Sequence, residues 1–154
     1  MIEKFIIGVF SFSFLFTLQL IFPCPASARI ELSFSAPPSS IQVDQPFSVD
    51  VTLTGADPAA EYYIRGVLFK PETTQYFGFT QNDQGNWHSN SGEPSAFYKL
   101  QGNGTKTISF TVDTSSSQYV PNQSYSFKIG RYTQAGSLTW SDQSPSSVMI
   151  TQTE

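Results

Sequence analysis

From residue 29 onward, short β-rich runs, several with hydrophobic residues at every second position, alternate with Gly, Pro, Asn, Asp and Ser, and no helix-length stretch shows apolar residues at helical spacing. The clearest run is Phe47, Val49, Val51 and Leu53, with Ser48, Asp50 and Thr52 between them. Successive side chains point to opposite faces of a strand, so this run predicts one buried face and one wet face. Ile30, Leu32 and Phe34 alternate in the same way until Ala36-Pro37-Pro38-Ser39-Ser40 breaks the strand, which resumes over 41–43. The segment 62–70 is apolar on both faces, which predicts a strand in the middle of a sheet. Further strands are predicted over 75–80, 96–100, 105–112, 125–133, 138–140 and 148–151. Within them Ile108, Phe110 and Val112 point inward, and Tyr125, Phe127 and Ile129 share a face.

Turn chemistry separates these runs. Thr54-Gly55-Ala56-Asp57-Pro58 and Asn82-Asp83-Gln84-Gly85 read as turns, and residues 86–94 as a polar, irregular loop. Gln101-Gly102-Asn103-Gly104 predicts a hairpin, because Asn and Gly tolerate positive φ. About nine strands at this spacing specify an all-β domain, a sandwich or a barrel.

The N-terminal segment follows a different pattern. An apolar block from Phe5 to Phe22 follows Glu3 and Lys4 and ends at Pro23-Cys24-Pro25-Ala26-Ser27-Ala28. That is the layout of an export signal, with prolines that stop the helix and small residues at Ala26 and Ala28 for the peptidase. The expected organisation is a signal peptide over 1–28 and one domain over 29–154, with Arg29 as the new N-terminus. The block approaches the roughly 20 residues of a membrane span, so an uncleaved anchor is the rival reading. Lipid attachment at Cys24 is disfavoured by its flanking prolines. After cleavage no membrane span is expected, and the localisation is secreted or cell-surface.

Composition narrows the chemistry. Cys24 is the one cysteine, so the domain over 29–154 has no disulfide and must rest on packing alone. The formal net charge is −4, with no basic cluster to neutralise phosphates, which argues against nucleic acid as a partner. One histidine, His88, with no cysteine left in the domain, cannot supply the usual ligands of a zinc site or many catalytic arrangements. Asn82-Asp83-Gln84-Gly85-Asn86 offers oxygens for calcium but lacks the EF-hand register, so a plain turn is expected. No catalytic residue, cofactor or metal is assigned, and no enzyme is expected.

Val43-Asp44-Gln45-Pro46-Phe47-Ser48-Val49-Asp50-Val51, Phe127-Lys128-Ile129-Gly130-Arg131-Tyr132 and Trp140-Ser141-Asp142 give the chain a resemblance to a known group. It resembles the immunoglobulin-like β-sandwich modules of bacterial secreted and cell-surface proteins, cohesin-like or lamin-tail-associated. The resemblance implies an immunoglobulin-like antiparallel β-sandwich of about 7–9 strands. It also implies that Tyr125, after Val120-Pro121, opens strand F and bonds back to the chain upstream.

Tyr76, Phe77, Phe79, Trp87, Phe97 and Tyr98 crowd the middle third, where some can fill the core and others form a binding face. Trp87, Tyr76 and Tyr98 are the expected contacts to a ligand or partner. Trp87 stands among polar neighbours and is expected at the surface of the 86–94 loop. The expected function is a non-enzymatic extracellular module for adhesion, envelope structure or protein recognition, with an unidentified extracellular protein or glycan as partner. The alternative is a carbohydrate-binding module that uses exposed aromatics. A flat row of exposed rings would favour sugar, and a single exposed edge would favour protein.

Overall fold

A computed structural model describes residues 29–152, so the expected signal peptide lies outside the described residues. Eleven strands follow in order: β1 Glu31–Phe34, β2 Ser40–Gln42, β3 Phe47–Thr54, β4 Glu61–Phe69, β5 Phe79–Gln81, β6 Trp87–Ser89, β7 Tyr98–Gln101, β8 Gly104–Thr111, β9 Gln123–Thr133, β10 Leu138–Trp140 and β11 Ser146–Thr151. A single 3-10 turn at Pro94–Ala96 precedes β7. The first sheet has the order β1-β3-β8-β5-β6 and the second β2-β11-β9-β4-β7, with β10 beside β9. The Pro37-Pro38 break sends the first strand into both sheets. β1 pairs antiparallel with β3, and β2 then joins the second sheet parallel to β11. The result is an immunoglobulin-like β-sandwich, and three-residue strands such as β2, β6 and β10 raise its count above the expected number.

The alternation read along 47–53 is the burial pattern of β3, in which Phe47, Val49, Val51 and Leu53 face the core. They meet Ile64 and Leu68 of β4 and Tyr125, Phe127 and Ile129 of β9. Phe127 is the hub. Its ring makes edge contacts with Phe34, Phe47 and Phe110 at centroid distances of 5.7, 5.3 and 5.2 Å. Such pairs add about 0.5–1.5 kcal/mol each beyond area burial. Gly66 on β4 makes room for them, since a Cβ there would collide with the Phe110 ring.

Tyr125 is 1% exposed, and its hydroxyl is tied to the chain just upstream. It accepts from the Val120 amide at 2.7 Å and lies 3.1 Å from the carbonyl oxygens of Gln118 and Val120. The crossover from β8 to β9 is thereby pinned to the strand it enters.

Several expectations are corrected. The turn at 101–104 is present, with Gly102 at φ 61° and Gly104 at φ 153°, but it does not close a hairpin. β7 pairs with β4 in the second sheet and β8 with β3 in the first, so the turn carries the chain between sheets. The Asn103 side chain explains the choice: its Oδ1 accepts from the Ala56 amide at 2.7 Å, holding the turn against the β3–β4 connection. The strand expected over 75–80 is broken at Gly78, which has φ 111°, leaving a bridge at Phe77 and a strand from Phe79. Residues 86–94 are not wholly irregular, because Trp87–Ser89 pairs with β5 as the edge of the first sheet. Phe69, an aromatic whose place in the apolar run of 62–70 reads as core, is buried, but on the outer side of the second sheet rather than between the sheets.

Candidate functional site

β4 is buried on both faces because loops cover its outer side. Tyr63, Arg65, Val67 and Phe69 point outward there, opposite Tyr132, Gly130, Lys128 and Ser126 of β9. Gly130 lacks a side chain, and the Trp140 ring occupies that space. A Cβ on Gly130 would lie 2.8 Å from Trp140 Cε3. Around Trp140 the outer face alternates rings with cations. Arg65 lies 5.1 Å from the Trp140 centroid and 5.3 Å from that of Tyr132. Lys128 lies 4.0 Å from Trp140, 4.3 Å from Tyr76 and 4.8 Å from Phe69. Phe97 stacks on Tyr132 at 5.9 Å.

Each cation here is held by ring faces and by one polar contact. Lys128 Nζ donates to the Tyr76 hydroxyl at 2.6 Å, and Arg65 donates to the Asn90 carbonyl at 3.1 Å. Burial pulls the Arg65 pKa below its ordinary value, while the neighbouring Tyr132 and Tyr76 push it back up. Cation–π contacts strengthen on desolvation, so this array fastens the loops around Tyr76 and Asn90 onto the sheet. The ring faces are thus partly taken up by the protein's own cations.

The three expected contact residues are not brought together. Tyr76 is half-buried in the outer array, 5.1 Å from Trp140 and 5.6 Å from Phe69. Tyr98 begins β7 opposite Ile64 and packs against the core. Trp87 is 38% exposed and lies on β6, the last strand of the first sheet. It pairs with Gln81, on the face opposite Thr80, whose hydroxyl accepts from Gly66 across the sandwich at 3.0 Å. Trp87 therefore projects away from the core at a free sheet edge. Met149 is the other large hydrophobic residue exposed among the described residues.

The remaining polar candidates serve the fold. His88 Nε2 lies 3.1 Å from Asn82 Nδ2, so the amide donates to the ring rather than a serine hydroxyl. Asn82 Oδ1 accepts from the amides of Gln84 and Asn86, which makes the 82–86 segment an Asx-type turn. Among the described residues no cluster of three His, Cys, Asp or Glu is placed to hold a metal.

Arg65, Lys128 and Arg131 were not singled out as site residues by the sequence. A signal existed for all three. Arg65 interrupts the apolar run of 62–70, and Lys128 and Arg131 punctuate the alternation of 125–133, so each charge falls on a sheet face with little water.

No protein-family model matches the chain, and no curated protein matches it. Solved structures share the arrangement of strands only distantly. AvmM, which catalyses macrocyclization in alchivemycin A biosynthesis, superposes with a TM-score of 0.46 at 8% identity, over 82% of this chain and 91% of its own. A β-glucosidase from Listeria innocua superposes with a TM-score of 0.41 in complex with gluconolactone and 0.39 in complex with glucose. Both alignments are 14% identical and cover 80% of this chain and 16% of the glucosidase. Likenesses of this degree carry neither activity nor ligand to this chain.

Proposed function

We propose that this chain is a non-enzymatic extracellular module that recognises a protein through the free β6 edge of its first sheet, in adhesion or envelope structure. The observation that carries the reading is Trp87, exposed on the terminal strand of a sheet. An edge strand leaves one row of backbone donors and acceptors without a neighbouring strand, and exposed tryptophan is a frequent anchor of protein interfaces. The export pattern of residues 1–28 supports an extracellular location. A sugar platform is less well supported. It needs several open ring faces in a row, whereas Trp140, Tyr76 and Tyr132 stand beside Arg65 and Lys128.

The experiment is binding of the exported protein to envelopes of the producing cell after two treatments. Protease digestion of the envelopes is expected to abolish binding, and periodate oxidation of their glycans to leave it intact. Binding that survives protease and is lost to periodate would transfer the function to the carbohydrate reading. Absence of binding to untreated envelopes would end the recognition proposal.

A further inference from the structure

We infer that Arg131 anchors a carboxylate-binding site on the side of the sandwich. β9 sends Tyr125, Phe127 and Ile129 into the core, and Arg131 follows in the same register. A guanidinium thus ends the buried part of the core-facing row, only 8% exposed, with half-buried Thr133 beyond it. Its Nε is buried with no hydrogen-bond partner among the described residues. Neither ion pair among those residues, Arg29 with Asp142 or Lys99 with Glu61, includes it. The Tyr62 ring, 5.4 Å away, favours a cation but gives its N–H groups no carboxylate to bind. Arginine stays charged in proteins, so a buried Nε–H without a partner calls for an acceptor, and the terminal nitrogens are left for a ligand in the cavity that Arg131 lines.

Arg131 lines a cavity of about 350 Å³ between β1 and β10. Ile30 and Leu32 form an apolar wall, and Thr139, Trp140, Arg29 and Asp142 complete the lining beside Arg131. The single carboxylate there is bound at 2.6 Å by Arg29, so two guanidinium groups face one acid and the lining is net positive. The volume falls in the range of small-molecule sites. The planar fork of arginine matches a carboxylate with two parallel hydrogen bonds, which selects this anion class over a point charge. The apolar wall accepts the carbon body. A ligand so defined is a small organic carboxylate, and an aspartate or glutamate side chain of a bound protein offers the same chemistry.

This site is separate from the one proposed above. β1 and β6 are the opposite edges of the first sheet, so failure at one leaves the other standing.

The test is titration of benzoate into the isotope-labelled exported protein, following the Arg131 Nε–H resonance by NMR. Benzamide serves as the neutral isostere and a peptide with one aspartate as the second carboxylate source. Benzoate is expected to shift the resonance saturably, with benzamide inert. Arg131→Met keeps most of the stem and removes the charge, and is expected to weaken binding at least about tenfold, equivalent to about 1.4 kcal/mol. Tighter binding of benzoate than of the peptide assigns the site to small molecules, and the reverse order assigns it to a protein side chain. No benzoate-dependent shift, an equal response to benzamide, or unchanged affinity in Arg131→Met would overturn the inference. Should that variant not fold, the wild-type contrast between benzoate and benzamide decides alone.

Discussion

The Tyr125 hydroxyl accepts a hydrogen bond from the Val120 amide at 2.7 Å, five residues upstream, and so fixes where the chain enters β9. Losing that oxygen while keeping the ring leaves a backbone donor without its partner. Tyr125→Phe is expected to cost about 1–2 kcal/mol, the range for one lost hydrogen bond with a partly buried orphan. Chemical unfolding should show a lower midpoint at unchanged denaturant slope. An unchanged midpoint would mean that the crossover is held by other contacts.

The same hydroxyl gives a pH dependence with a definite sign. Burial pushes the Tyr125 pKa above its ordinary value, against the lowering effect of the Val120 amide. Tyrosine is neutral below its pKa, so the folded chain holds this proton more tightly than the unfolded chain. The contribution to stability is full below the unfolded value, about 10, and is lost as pH rises through the folded value. Tyr125→Phe lacks this term, so the stability gap between wild type and variant should narrow in the alkaline range. A gap that stays constant from neutral to alkaline pH would contradict the assignment.

Gly130 tests the outer array. Its added Cβ would sit 2.8 Å from Trp140 Cε3 and 2.9 Å from Leu138 Cδ1. Gly130→Ala is expected to displace the indole and destabilise by about 1–3 kcal/mol, as overpacking does. Thermal unfolding and near-UV circular dichroism should both change. A variant of wild-type stability with an unaltered aromatic spectrum would show that Trp140 does not need this space.

The strands were legible where period-two burial and local turn chemistry agreed. Phe47 to Leu53 reads directly as β3, and the apolar faces of 62–70 as a strand buried on both sides. The bond made by Tyr125 was legible only as something the resemblance implies, through the place of this tyrosine after Val120-Pro121. The pairing partner of a strand was not. Gly102-Asn103 specifies a turn, but whether the next strand pairs beside the last or crosses to the facing sheet depends on the distant Ala56 amide that Asn103 meets. β6 was hidden for a related reason: it is a three-residue edge strand in which Trp87 is followed by the polar His88 and Ser89, and pairing through the backbone leaves no apolar alternation. Tyr76 and Tyr98 stand out in the sequence as aromatics near Trp87, which its polar neighbours mark as a surface residue, but β5, β6 and β7 distribute that stretch over both sheets.

Export is tested without reference to the fold. Cleavage after Ala28 should give a secreted protein whose intact mass begins at Arg29. A mass that retains residues 1–28, or one carrying lipid at Cys24, would contradict it and make the domain an anchored one.

The central proposal, recognition through the β6 edge, rests on Trp87 being exposed for a partner rather than packed for stability. Trp87→Ala measures both in one variant, by envelope binding and by chemical unfolding. An anchor at a free edge predicts loss of binding with less than about 1 kcal/mol of destabilisation. Binding at the wild-type level, or a stability loss of about 3–5 kcal/mol as for a packed indole, would contradict it.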